Sequence, residues 1–330
     1  MSWPRTYGRA VIDERACGRV VTVGSLRAEL DSVLRERYGA VPWDALDPEA
    51  AARATVAVTS GVWGVRALHL DRMPGLGAVV SFGVGYDATD VAGAARRGVA
   101  VSNTPGVLDD CVADTAVGLV IDAMRGLSAA DRSVRRGEWA QGRVPALGRR
   151  VTGARVGILG LGRIGLAVAR RLAGFDAVIS YHNRTPRDDV PFRHATSPAE
   201  LAAGCDVLVV TVSGGPASRH LVDADVLDAL GPDGFLVNVS RGSVVDEAAL
   251  VAALDAGRLA GAGLDVFADE PHVPAALLER DDVVLTPHLG SGTRETRAAM
   301  VDLVVANVDR FLADGTLLTP VPVPVAPVTA

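Results

Sequence analysis

The chain has 330 residues, 49% of them hydrophobic and 22% charged. That length exceeds what one hydrophobic core usually serves, and the composition is that of a globular protein with no run of about 18 apolar residues to span a membrane. A formal charge of −6 disfavours a nucleic-acid partner, and the three cysteines, Cys17, Cys111 and Cys205, are too scattered to imply a disulfide framework or a metal site.

Residues 1–18 carry no apolar stretch of signal-peptide length, so a cytoplasmic enzyme is the expectation. There is no lysine; arginine supplies all 33 of the Lys/Arg positions. That excludes Schiff-base chemistry, a phosphate-loop lysine and a lysine proton donor. Proton transfer near neutral pH then falls to the six histidines and the carboxylates.

In chain order, short β-branched runs alternate with amphipathic stretches. Strands are predicted over 19–23, 55–59, 78–82 and 99–102, with helices over 26–38 and 88–97 between them. Asn103-Thr104-Pro105-Gly106 is a turn signal, and helical patterns follow over 110–124 and 127–139. Residues 143–150 read as a surface loop. A second set of strands is predicted over 156–159, 177–181, 207–211, 235–239, 261–264 and 283–285, then a last long helix over 294–311 and an extended Pro/Val-rich tail. Alternation of this kind implies parallel βαβ units, here two doubly wound α/β domains with a cleft between them. The expected substrate-binding domain is discontinuous, residues 1–102 with 292–330, and residues 103–291 form the dinucleotide-binding domain.

The strongest local motif is Gly160-Leu161-Gly162-Arg163-Ile164-Gly165, directly after the apolar run 155–159 and opening a helix over 164–172. The first glycine permits the turn, the second lets backbone approach a pyrophosphate, and the third lets helix and strand pack closely. Cofactor choice is read after the next strand, at Tyr181-His182-Asn183-Arg184-Thr185-Pro186-Arg187. An acid there would bind the ribose hydroxyls and repel a 2′-phosphate. The chain has Asn183 instead, followed by Arg184, with Arg187 as a second candidate cation. NADP(H) is therefore favoured over NAD(H).

Five spaced motifs carry a family resemblance: Ser81-Phe82-Gly83-Val84-Gly85-Tyr86-Asp87, the glycine loop, Asn238-Val239-Ser240-Arg241-Gly242, Gly263-Leu264-Asp265-Val266-Phe267 and Thr286-Pro287-His288. With these the chain resembles the D-isomer-specific 2-hydroxyacid dehydrogenases, in particular their NADPH-linked glyoxylate/hydroxypyruvate and hydroxyphenylpyruvate reductase branch. The resemblance implies a Rossmann cofactor domain inserted in a flavodoxin-like substrate domain, a homodimer, and reduction of a small 2-oxo acid to the D-2-hydroxy acid; no spacing of histidines and carboxylates suggests a metal site. It also implies roles. Arg241 would grip the substrate carboxylate, His288 would pass the proton, and Glu270 would hold the far ring nitrogen of His288. Ser60, Gly61, Val84 and Gly85 would complete the substrate site. Val212, Ser213, Val239 and Asp265 would line the cofactor, with Asn183, Arg184 and Thr185 at its ribose. Three positions depart from the family pattern: Asp109, Ser240 and Gly292. Two rivals stand beside this reading: an NAD(H)-sensing corepressor-like interaction protein, and an NAD-linked dehydrogenase of a one-carbon or inorganic acid.

Overall fold

The computed structural model describes residues 18–323, and residues 1–17 and 324–330, including Cys17 and most of the predicted tail, lie outside them. The chain divides into two compact units. One takes the described residues up to Leu108 together with those from Arg294 onward, and the other is Asp109–Thr293.

The first unit runs β1 (Val20–Thr22), α1 (Ala28–Tyr38), β2 (Val41–Pro42), α2 (Pro48–Arg53), β3 (Val56–Ser60), α3 (Ala67–Arg72), β4 (Ala78–Phe82), α4 (Val91–Arg96) and β5 (Ala100–Ser102). Its sheet is parallel with order β2-β1-β3-β4-β5, the flavodoxin-like arrangement. β3 and β4 are buried almost throughout, which is why they read as continuous apolar runs. Short helices start where a carboxylate can accept from a free amide: Asp47 caps α2 at Ala50 N–H (2.7 Å) and Asp90 caps α4 at Gly93 N–H (2.8 Å). Each such cap is worth about 1 kcal/mol. Residues 103–104 stay with this unit because Thr104 N–H donates to Gly83 O (2.9 Å) and Thr319 Oγ1 donates to Asn103 O (2.6 Å).

The second unit continues with α5 (Asp109–Arg125), α6 (Leu127–Arg135), β6 (Arg155–Leu159), α7 (Arg163–Ala173), β7 (Val178–His182), β8 (Arg193–His194), α8 (Pro198–Ala203), β9 (Val207–Val210), α9 (Ala224–Leu230), β10 (Phe235–Asn238), α10 (Glu247–Asp255), β11 (Gly261–Leu264), α11 (Ala275–Leu278) and β12 (Val283–Leu285). The chain then returns to the first unit in α12 (Arg294–Asp314), which packs on β4 and α1 and buries Met300, Val304 and Val308. The predicted 127–139 helix stops at Arg135; Gly126, at φ 64°, separates it from α5.

All seven strands of the second sheet are parallel, in the order β8-β7-β6-β9-β10-β11-β12. The order reverses between β6 and β9, and ligands bind open α/β sheets beyond the strand carboxyl ends at such a point. Register places His182, Leu159, Val210, Asn238, Leu264 and Leu285 in one row across that end. The sequence-predicted site residues of this unit follow that row: Gly160, Asn183, Val212, Val239, Asp265 and His288 all lie within three residues beyond it. Below the row the core is dry, with Leu208, Val210, Leu236, Leu250 and Leu264 among its members. Burial pushes the Cys205 thiol in this core up to about 12, so it is a packing residue.

Candidate active site

The glycine loop is shaped by its neighbours. Gly160 has φ +100°, and a Cβ there would stand 2.7 Å from Val212 N; a Cβ on Gly165 would meet Gly160 O at 2.4 Å. Both positions exclude any side chain. Gly162 has open space instead, so a ligand can reach its backbone, and no side chain caps α7 at that residue. An uncapped helix start with free amides favours an anion. The dinucleotide pyrophosphate fits this loop.

Asn183 and the arginines after it do not share one task. Asn183 Oδ1 accepts from Leu161 N–H (2.7 Å). Arg187 donates to Leu161 O (2.9 Å) and to both carboxylate oxygens of Asp189 (2.9 and 2.5 Å), so its guanidinium is committed within the fold. Arg184 and Thr185 are exposed. Arg163, also of the glycine loop, lies 3.5 Å from the Asp109 carboxylate.

His288 sits three residues past β12 with φ 51°, a left-handed conformation that costs a non-glycine residue about 1–2 kcal/mol. The strain is held by its N–H, shared between Asp265 O (2.9 Å) and Thr286 O (3.0 Å). Asp265, 2% exposed, grips the same segment with its side chain. Oδ1 accepts from Thr286 Oγ1 (2.6 Å) and Leu289 N–H (2.8 Å), and Oδ2 accepts from Gly290 N–H (2.8 Å). A carboxylate offers about four acceptor positions, so one remains for a further donor. The departure at Gly292 is steric: a Cβ there would stand 2.7 Å from Leu289 O.

So placed, His288 Nδ1 lies 2.7 Å from Glu270 Oε2, and Glu270 Oε1 accepts from Phe267 N–H (3.0 Å). Burial alone would raise the Glu270 carboxyl. The hydrogen bond and charge of His288, the Phe267 amide and the Arg241 charge outweigh it and hold the group below its ordinary range. Glu270 is therefore ionised at neutral pH. The stability it contributes is present above its unfolded value of about 4.3 and is lost as pH falls through the depressed folded one.

Arg241 reaches the same neighbourhood because Gly242 has no side chain: a Cβ there would be 1.9 Å from Phe267 C. The Arg241 carbonyl accepts from Asn238 Nδ2 (3.0 Å), which fixes the turn. Ser240, the second departure, donates its hydroxyl to Val212 O and so joins the Arg241 turn to the segment beside the glycine loop. Ser213 is exposed next to it, while Val239 is buried.

One contributor was not singled out from sequence. Glu247, the first residue of α10, accepts from Ala268 N–H (2.7 Å), pinning the strand-end loop that carries Glu270. Its burial, with the charges of Asp269 and Glu270, raises its carboxyl above the usual value despite that amide. The Asp-Glu pair at 246–247 advertises a helix start, but not the loop it would meet. His272, two residues after Glu270, is turned outward with 80% of its side chain exposed.

In the first unit, the loops after β3 and β4 adjoin. Gly61 N–H donates to Phe82 O (3.4 Å), and Asn103 Nδ2 donates to Val84 O (2.7 Å). Ser60, the last residue of β3, and Gly61, Val84 and Gly85 on these loops are all partly exposed. Among the described residues, no group of three or more His, Cys, Asp or Glu could hold a metal ion, and no helix is long and apolar enough to cross a membrane.

A pyrophosphate cradle on one side of a sheet switch point, and a histidine–carboxylate pair with an arginine on the other, define the class: a dinucleotide-dependent oxidoreductase. Residues 117–290 match the family described as D-isomer specific 2-hydroxyacid dehydrogenase, NAD binding domain. The chain is 48% identical over 258 residues to hydroxyphenylpyruvate reductase of Plectranthus scutellarioides, covering 78% of this chain and 82% of that one. It is 45% identical over 263 residues to 2-ketogluconate reductase of Gluconobacter oxydans, covering 80% and 84%. Among solved structures, the NADPH-dependent glyoxylate/hydroxypyruvate reductase of Sinorhizobium meliloti, in complex with NADP and malonate, superposes with a TM-score of 0.87 at 43% identity, covering 92% of this chain and 96% of that one. The chain belongs to the D-isomer-specific 2-hydroxyacid dehydrogenase family, in its glyoxylate/hydroxypyruvate reductase branch.

Proposed function

We propose that this protein reduces small 2-oxo acids to D-2-hydroxy acids with NADPH in preference to NADH. The observation that carries the reaction is the 2.7 Å contact between His288 and Glu270 beside Arg241. A bound dinucleotide supplies hydride to the carbonyl carbon. Arg241 binds the substrate carboxylate and polarises the carbonyl oxygen, where negative charge develops. His288 hands a proton to that oxygen from the ring nitrogen opposite Glu270, and Glu270 fixes the ring. The remaining acceptor position on Asp265 suits a carboxamide N–H.

The NADPH preference is supported by an exposed Arg184 where an acid would disfavour a 2′-phosphate. A panel of glyoxylate, hydroxypyruvate, 2-ketogluconate and arylpyruvates, assayed with each cofactor, tests both parts. NADPH should give at least tenfold higher kcat/KM on the best acid. Turnover of none of them, or a preference for NADH, would overturn the reading.

We further propose a cytoplasmic homodimer. Leu127, Val134 and Trp139 are exposed on and after α6, in the region that the family resemblance assigns to a dimer interface, and two-fold dimers are the commonest closed assemblies. The thiols of Cys111 and Cys205 are free, in keeping with a reducing compartment. Light scattering at micromolar concentration should give twice the 34.1 kDa chain mass, whereas the monomer mass would contradict the assembly.

A further inference from the structure

The Leu161 peptide of the glycine loop is held from both sides by the segment after β7. Its N–H donates to Asn183 Oδ1 (2.7 Å) and its carbonyl accepts from Arg187 (2.9 Å). One residue earlier, Gly160 N–H donates to His182 O (2.9 Å). The holding segment is itself braced. Arg187 N–H donates to the Tyr181 hydroxyl (2.8 Å), its guanidinium forks onto Asp189, and the Asn183 carbonyl lies 3.0 Å from His194 Nε2 on β8. Tyr181 and Leu161 are each 1% exposed, so the inner end of the brace is anchored in the core while its Asp189 end lies at the surface. Arg184 stands between Asn183 and Arg187 and takes no part in it.

From this arrangement we infer that Asn183 and Arg187 are positioning residues for the pyrophosphate loop, and that Arg184 alone in this segment reads the 2′-phosphate. The two neighbouring arginines thus act on different phosphates of one ligand. Arg187 works through the Leu161 carbonyl and sets the aim of the amides at the start of α7, which any dinucleotide needs. Arg184 adds a charge that only a 2′-phosphorylated ribose can use. This division corrects the sequence expectation that Arg187 is a second 2′-phosphate contact, and its Arg184 half rests on the NADPH reading above.

The test is equilibrium binding of NADP⁺ and NAD⁺ to the full chain, by calorimetry, for wild type, Arg184→Ala, Arg187→Ala and the double variant. Arg187→Ala should weaken both dinucleotides about 5–20-fold and leave their affinity ratio within about twofold, as loss of a shared anchor does. Arg184→Ala should weaken NADP⁺ about 10–100-fold and leave NAD⁺ unchanged. The double variant should be additive, because the two side chains serve separate groups. Asp189→Ala, which removes only the fork's outer support, should repeat the Arg187→Ala pattern more weakly and covers the case in which Arg187→Ala does not fold. A selective loss of NADP⁺ in Arg187→Ala, or no loss of either ligand, would overturn the positioning role. If wild type binds NAD⁺ as tightly as NADP⁺ and Arg184→Ala changes nothing, the cofactor reading fails, while NAD⁺ affinity in Arg187→Ala still decides the positioning role.

Discussion

Replacing His288 by alanine should lower turnover of the 2-oxo acid by about 10²–10⁴-fold across the accessible pH range, the usual worth of a positioned general acid. The loss should fall on kcat, with dinucleotide affinity little changed, because the cradle at Gly160–Gly165 is built on other strands than the one His288 follows. The fold should persist. Asp265 holds this segment through Thr286 Oγ1 and the Leu289 and Gly290 amides, none of which needs the imidazole. Relief of backbone strain is not expected, since alanine at φ 51° is no more comfortable than histidine. Stopped-flow or steady-state oxidation of NADPH measures the effect, and near-full activity would remove His288 from the mechanism.

Arg241→Ala should act differently. A guanidinium grips a carboxylate with two parallel charge-assisted bonds in the ground state, and it also meets charge developing on the carbonyl oxygen. KM for the oxo acid should therefore rise by about 10–100-fold, at about 1.5–3 kcal/mol for a charge-assisted bond, while kcat falls by about 10²-fold or more. The turn itself should survive, since Asn238 Nδ2 binds the Arg241 backbone carbonyl and Ser240 binds Val212 O. Arg241→Lys should recover little, because an ammonium cannot reproduce the planar fork. A variant with unchanged KM would show that the carboxylate is held elsewhere.

How much of this was legible in the sequence depended on how local each cause is. The strands β4 and β11 coincide with the predicted runs, because a parallel strand buried on both faces leaves a continuous hydrophobic signal. The glycine loop was legible for the same reason: its turn, close approach and helix start all lie in one short stretch. Helices α2 and α8 were not picked out although Asp47-Pro48 and Ser197-Pro198 are clear start signals, since six residues are too few for a periodic pattern. The two-residue edge strand β8 has no pattern to read. Least legible were the partners across strand ends. The sequence offers Arg184 first and Arg187, three residues on, as a second candidate cation for the same phosphate. Only register, which lays β6 against β7, brings the Leu161 carbonyl to one of them and not the other. The same holds for Glu247 and the Ala268 amide, 21 residues apart in the chain.

The central claim is that the proton reaches the substrate oxygen from His288, whose far ring nitrogen is held by Glu270. Its most direct test is the pH dependence of kcat/KM for oxo-acid reduction in wild type and Glu270→Gln. Reduction consumes a proton at the carbonyl oxygen, so the wild-type rate should be high on the acid side and fall as pH rises. Glutamine keeps an acceptor for the Phe267 amide but removes the negative charge beside His288 Nδ1, so the fall should move to lower pH. A Glu270→Gln profile that falls at the same pH as wild type would show that this pair does not carry the proton.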